Sequence, residues 1–408
     1  MLKGLLFQPR HFVGFSMIAA LIGTALISPL YPIYQDQWGL SAGAISNIYV
    51  IYMSGALFGL VFLGRLGDRI GYAATLLVAL LLALLGSVIC MVAQEAVLLS
   101  IGRFMVGVAG TLATSSGVAG LNILAPEHKK PNVALKGSLL VAFGFGLGPV
   151  VGGIVGQWFG IPLISVHIPS LIMLVLGLAI MLKLEPRVKL ADLRGKLSVG
   201  DFLPKLTWPK GPDAIVFGLA CILPFITFGV FGLYASMAPT IIRNVLGLGG
   251  PMVSGLGIAL ILTGSCITQI IFKRMHFKKS ALIGLGMLAL SNALMVLNLY
   301  QGLAALFAVG LLFTAIGHGA SMFAGAQVVN GISNNTNRAS LTASYWAIGY
   351  CGSILPMIGT GLMADRWGLN TAVTVFCCSV VAMCLAGAVA FIVLATERRK
   401  AELETEAA

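Results

Sequence analysis

Arg103 stands in the apolar run Leu98-Leu99-Ser100-Ile101-Gly102-Arg103-Phe104-Met105 and has the clearest capacity for chemistry in this chain. A charge inside such a run is costly and marks function by default. Its pKa stays above about 12, so it cannot itself carry a proton. It can bind an anionic substrate or lower the pKa of a nearby carboxylate. The alternative is that it snorkels to the membrane face. His318 is the best-placed titratable group, because an imidazole changes charge near neutral pH. It reads as a proton carrier or as a hydrogen-bonded structural histidine. His167, Asp36 and Glu95 lie near the ends of other apolar runs. The seven cysteines all fall inside apolar runs without metal-ligand spacing, and read as small apolar side chains. No nucleophile motif is evident, and no metal-ligand pair that includes a His or Cys sits at i,i+4. No enzyme, metal or cofactor is therefore expected.

The elements that must position these groups follow from charge distribution. Of 408 residues 58% are hydrophobic and 9% charged, against about a quarter charged in a soluble domain. No Asp, Glu, Lys or Arg occurs in 137–182, 214–242, 280–337 or 367–396. A membrane-crossing helix needs about 20 apolar residues, so the longest of these runs hold two spans each. Twelve spans result, at 12–34, 43–63, 73–93, 97–121, 133–157, 162–182, 214–237, 251–271, 280–299, 302–325, 338–362 and 370–394. The first is too long for a signal-peptide core and is read as an uncleaved helix. With the N-terminus inside, all of the 25 Lys and Arg residues except Arg103, Arg243 and Arg366 fall on inside segments. These include Lys129, Lys130, Arg187, Lys189, Arg194 and Lys196. The positive-inside rule then puts both termini in the cytoplasm, at the cytoplasmic (inner) membrane. The net charge of +12 belongs to these loops and not to a nucleic-acid partner.

The chain also repeats. One offset carries Pro32 onto Pro239, Gly110 onto Gly317, Ala113 onto Ala320, Pro149 onto Pro356 and Gly152 onto Gly359. An even number of spans per half gives a parallel repeat about an axis normal to the membrane. The expected fold is an all-α membrane protein of two pseudo-symmetric six-helix bundles, 1–182 and 214–395. A cytoplasmic linker, 183–213, joins them, and a tail, 396–408, follows. The linker stretch 190–210, with Trp208 among basic residues, reads as a membrane-surface segment or a solvated connection.

Two segments carry a family resemblance. The turn after the second span reads Gly64-Arg65-Leu66-Gly67-Asp68-Arg69-Ile70-Gly71. The fifth span carries Gly144-Phe145-Gly146-Leu147-Gly148-Pro149-Val150-Val151-Gly152-Gly153. They resemble motif A and motif C of the major facilitator superfamily, and the second is similar to that of its twelve-helix drug:proton antiporters. Arg103 with Gly107 and Gly110 matches the family's motif B. One departure is that Tyr72 and Ala73 follow Gly71 where the family continues with basic residues. The resemblance implies that Asp68, with Arg69 beside it, locks the turn against the eleventh span, where Arg338 begins. It also implies that the motif C helix resists leak and is associated with export. Spans one, four, seven and ten would line a cleft with Tyr31, Tyr34, Arg103, Ser115, Ser116, Phe225, Phe228, Tyr234, His318 and Phe323. Trp346 and Tyr350 of the eleventh span join them. Such aromatic walls suit an amphipathic organic molecule.

The expected function is alternating access by a monomer, with proton-coupled efflux of small organic or drug-like molecules. The small-molecule substrate, the proton and the lipid bilayer are the partners. Asp36, Asp68, Arg69, Arg103 and His318 are the transport and coupling candidates. An importer of a small organic anion is the alternative; a membrane enzyme or a channel accounts for the duplication less well.

Overall fold

The computed structural model describes residues 8–126, 133–184, 198–334 and 336–407. Lys129, Lys130, Arg187, Lys189, Arg194 and Lys196 lie outside them, as does part of the linker. Among the described residues the regular structure is all helix, with no strand, and eleven helices are long and apolar enough to cross a membrane. They are α3 (Ala42–Leu63), α4 (Leu66–Val92), α5 (Ala96–Ile123), α6 (Val133–Trp158), and the pair α7 (Pro162–Ser165) with α8 (His167–Leu184). After the linker come α9 (Pro212–Ser236), α11 (Pro251–Ile271), α12 (Phe277–Gln301), α13 (Ala304–Ile332), α14 (Arg338–Trp367) and α15 (Leu369–Ala407). Leu85, Val92, Ile101, Leu182, Ile271, Leu362 and Leu385 stand exposed on these helices. Water does not favour so many large apolar side chains on one surface, whereas lipid does.

The first span is not one helix. It is α1 (Pro9–Ile22), a short 3-10 turn at Ser28–Leu30, and α2 (Tyr31–Trp38). The expectation of a continuous helix over 12–34 is therefore corrected. Pro29 and Pro32 lack an N–H and clash with the carbonyl four residues back. Both sit in the first turn of the piece that restarts after them, where no N–H is missed.

The same device recurs at the seventh span. α9 ends at Ser236, and a short helix, α10 (Ala238–Leu246), follows with Pro239 in its first turn. Both short helices stop on a left-handed glycine, Gly39 at φ 63° and Gly247 at φ 64°, which only glycine adopts without penalty. The repeat read from Pro32 and Pro239 is thus visible as a repeated piece of backbone.

Two compact units form. Among the described residues, those up to Lys205 together with Tyr234–Leu262 make the first, and Leu206–Leu233 with those from Thr263 onward make the second. Within the first, glycines bring backbones together. A Cβ on Gly86 would lie 2.8 Å from the Gly102 carbonyl oxygen of α5, and one on Gly107 would collide with the Tyr52 carbonyl of α3. Within the second, Gly284 of α12 and Gly317 of α13 face each other in the same way. Small residues at crossing points are how helices associate closely in lipid.

Candidate transport site

In the first unit the break in the first span creates the site of Arg103. Where α1 ends, the Gly23 and Thr24 carbonyls lack the N–H partners that a continuing helix would supply. Arg103 reaches them from α5. Its Nη1 donates to the Gly23 carbonyl at 3.1 Å and its Nη2 to the Thr24 carbonyl at 2.6 Å. The guanidinium also lies 4.3 Å over the Tyr52 ring of α3. The side chain is 1% exposed, so it does not snorkel. A cation at a helix C-terminus is favoured by the negative end of the dipole, and the ring face adds a cation–π attraction. Neither of its hydrogen bonds goes to a carboxylate, so the arginine binds broken backbone in place of an acid. Its Nε makes no hydrogen bond among the described residues.

Tyr31 and Tyr34 do not line a cavity here. They are 0% and 1% exposed and pack with Leu26, Ile27, Ile45, Ile48 and Leu99. The restart of the chain at Ser28 turns this face of α2 into the core of the unit, so in this structure both rings are core and not cleft wall. His167 is buried on α8, and neither ring nitrogen has a hydrogen-bond partner among the described residues.

The end of this unit that carries α2 is tied shut. Arg243 of α10 donates through Nη1 to Asp36 Oδ2 at 2.7 Å and to the Pro32 carbonyl at 3.1 Å. Thr240 donates to Gln35 Oε1 at 2.8 Å, and the Met252 N–H donates to Gln157 Oε1 at 3.1 Å. Below these ties runs the glycine-proline face of α6. A Cβ at Gly144 would press on Leu21, one at Gly148 would collide with the Ile22 carbonyl, and one at Gly152 with the Leu26 carbonyl. A Cβ at Gly153 would meet Met252 of α11, and Gly255 of α11 approaches the Pro149 carbonyl as closely. α6 is thus wedged between the broken span and α11 with no room for side chains.

At the opposite end lies the turn between α3 and α4. Gly71 has φ 82°, the left-handed region that favours glycine, and it separates the first turn of α4 from the rest. A Cβ at Gly64 would strike the Leu60 carbonyl. Asp68 is exposed and forms no ion pair among the described residues. Arg69 instead pairs with Asp201 of the linker, Nε to Oδ1 at 2.7 Å. Asp201 sits in a 3-10 turn, Val199–Phe202, where its Oδ2 also accepts from the Ser198 N–H at 2.9 Å and the Ser198 hydroxyl at 3.1 Å. The Ser198 N–H first, then its hydroxyl and the Arg69 guanidinium, hold the carboxyl below the usual Asp range, although burial opposes them.

The second unit holds the other candidates. His318 of α13 is buried with Nδ1 2.8 Å from Ser265 Oγ of α11, and Gln269 Nε2 donates to the same hydroxyl at 3.4 Å. The Phe231 ring lies edge-on at 6.1 Å. Phe228 of α9 meets Trp346 and Tyr350 of α14 at 5.8 and 5.5 Å between ring centroids, a half-buried aromatic cluster. Phe225 and Phe323 are half-buried outside that cluster; Tyr234, which belongs to the first unit, is 3% exposed. Arg338 donates through Nε to Ser333 Oγ at 3.3 Å. The linker reaches this unit as well: the Thr207 N–H donates to Ser344 Oγ at 2.9 Å, and the same hydroxyl donates to the Thr207 carbonyl at 2.8 Å.

Tyr52, Asp201, Ser265 and Gln269 were not singled out from the sequence. The pattern Ser198-x-x-Asp201, a helix-capping signal, marks the second of them. The first and the last two carry no motif.

A duplicated, multi-pass helical bundle with a broken first span and a buried arginine on its fourth is a membrane protein of the transporter class. The sequence profile of the Major Facilitator Superfamily matches residues 13–296, and the chain belongs to that superfamily. The MFS-type transporter EfpA of Mycobacterium tuberculosis is 33% identical over 142 residues, 34% of this chain and 26% of that protein. The class E tetracycline resistance protein of Escherichia coli is 30% identical over 141 residues, 33% of this chain and 34% of that protein. The riboflavin transporter RibZ of Clostridioides difficile is 23% identical over 202 residues, 48% of this chain and 44% of that protein. The chain thus spans between about a quarter and under half the length of these curated relatives. A crystal structure of a bacterial homologue of the human lysosomal transporter Spinster, inward-facing and unoccupied, shares the fold. Its TM-score is 0.67 at 15% identity, over 95% of this chain and 98% of that one.

Proposed function

We propose that this transporter exports small organic or drug-like molecules by alternating access, in exchange for protons. The observation that carries the reading is the wedge of α6. Gly148, Gly152 and Gly153 leave no side-chain space between α6, the broken first span and α11. A dry backbone interface of this kind resists leak while the tied end is closed. The tetracycline resistance protein among the relatives fits an export reading. In this reading Arg103 organises the broken span, and His318, linked through Ser265 to Gln269, is the proton carrier. The aromatic cluster of Phe228, Trp346 and Tyr350 contacts the substrate. The protein works as a monomer in the cytoplasmic (inner) membrane with both termini in the cytoplasm.

A second reading, import of a small organic anion, is favoured by the similarity to a riboflavin transporter. Proteoliposomes separate the two. Export predicts substrate movement driven by, and opposite to, an imposed proton gradient. Accumulation along the proton gradient, or transport indifferent to it, would overturn the proposal. The substrate class is reached by a growth-inhibition panel in an efflux-deficient host, comparing wild type with Asp68→Ala. Protection by the wild type and its loss in the variant is the expected result.

A further inference from the structure

Where α1 and α6 begin, beside the end of α5, lies a half-open cavity of about 350 Å³ lined by Arg10, His11, Phe15, Ile18, Lys136 and Leu140 among others. Arg10 is half-buried; His11 and Lys136 are exposed. The apolar wall lies deeper, where α1 and α6 touch: a Cβ on Gly14 would sit 3.3 Å from Leu140 Cδ1.

The charges in this cavity run against backbone electrostatics. Helix N-termini carry unpaired N–H groups and about half a positive charge, and so favour anions. Here the first turn of α1 holds Arg10 and His11, and the first turn of α6 holds Lys136. Neither turn contains an acidic residue, and α1 has no side-chain cap. Among the described residues, no residue lining the cavity is acidic, and none of the three basic side chains forms an ion pair. Two positive helix ends and two fixed cations therefore converge on a gap that an anion would neutralise.

We propose that this cavity holds the phosphate headgroup of an anionic phospholipid, with one acyl chain lying along Phe15, Ile18 and Leu140. The Arg10 guanidinium matches phosphate oxygens as a fork, and the Lys136 ammonium approaches from the facing helix. A dissolved phosphate would gain nothing from the apolar wall. A zwitterionic lipid would bring its own cation into an already positive gap. The position, at the ends of two membrane spans, is where headgroups lie, and basic pockets between such helices bind anionic lipids. This site is separate from the transport reading and does not rest on it.

The test is lipid retention by the full-length protein in micelles. Native mass spectrometry would follow it across titrations with phosphatidylglycerol, with phosphatidylcholine of the same chains, and with inorganic phosphate. Wild type should retain phosphatidylglycerol at least about fivefold better than phosphatidylcholine. Lys136→Gln should lower that preference by about fivefold, as expected for one basic residue at an anionic headgroup. Lys136 is exposed, so the variant should fold normally. Arg10→Gln with Lys136→Gln should abolish the preference, and Arg10→Lys should keep part of it. Equal retention of the two lipids, or an unchanged preference in the double variant, would overturn the site. Phosphate that displaces the lipid at matched concentration would reassign it to a soluble anion and also overturn the proposal.

Discussion

Arg103 shows why a charge can be stable in a bundle without an opposite charge. Its guanidinium has two carbonyls to donate to because the first span stops at Gly23. The break and the arginine therefore stabilise each other: without the arginine the carbonyls are orphaned, and without the break the guanidinium is. Hydrogen bonds from a charged group contribute about 1.5–3 kcal/mol each. Arg103→Ala should lower the thermal midpoint of the purified protein by several degrees and reduce transport more than tenfold. Arg103→Lys should fall between, because an ammonium lacks the fork that reaches both carbonyls at once. Thermal unfolding in detergent and transport into proteoliposomes check both. Full activity of the alanine variant would remove the assigned role.

Asp201 makes a second residue-scale test, now with pH. Its carboxyl is held below the usual Asp range, about 3.9, by Ser198 and then Arg69. A depressed carboxylate stabilises the folded arrangement at pH values above its unfolded pKa, and the contribution is lost as pH falls through the folded one. The linker turn should accordingly resist proteolysis at pH 7 and lose that protection only below about pH 4. Asp201→Asn should be cleaved faster already at pH 7, with no further pH step from this site. Limited proteolysis read by mass spectrometry distinguishes the two, and identical cleavage of both proteins at pH 7 would remove the ion pair from any structural role.

At the scale of elements, α6 gives the sharpest prediction, because the repeat supplies its own control. Gly152 of α6 and Gly359 of α14 are counterparts under the same offset, yet a Cβ at Gly152 collides with the Leu26 carbonyl while one at Gly359 meets nothing within 4 Å. Gly152→Val should cost about 1–3 kcal/mol through forced helix displacement and impair transport, whereas Gly359→Val should be near neutral. Thermal midpoints and transport of the pair decide it, and equal tolerance would mean that the wedge is not tight. This asymmetry was legible only in part. The glycine-proline run identified α6, and Pro149 matched Pro356, but the neighbours that make one glycine indispensable come from distant elements.

The same limit applies to the first span. Pro29 and Pro32 were visible, but what makes a break tolerable there is an arginine far along the chain. Once the helix breaks and restarts, Tyr31 and Tyr34 turn inward, and side chains that suit a cavity wall suit a core equally well. The apolar spans themselves were legible because bilayer thickness sets their length. The Arg69–Asp201 pair was not, since a linker rich in charges offers many partners and local spacing does not choose among them.

At the scale of the whole molecule, the proposed alternating access requires that the tied end of the first unit can open. In the first unit that closure rests on few groups, chiefly Asp36 with Arg243 and Gln35 with Thr240. The Asp36 and Arg243 side chains are 65% and 34% exposed, so the pair contributes at most about 1 kcal/mol. That is small against the stability of the bundle but about fivefold in the ratio of two access states. Weak ties of this size suit an end that must part in every cycle. With the seven native cysteines replaced, Asp36→Cys with Arg243→Cys should cross-link with a short bis-methanethiosulfonate reagent, which forms a disulfide to each cysteine. The cross-linked protein should fold normally and fail to transport, and reductive release of the linker should restore activity. Each single cysteine variant, treated in the same way, should stay active. Undiminished transport by the fully cross-linked protein would mean that α2 and α10 never separate, and the closed end would then be a fixed wall and no gate.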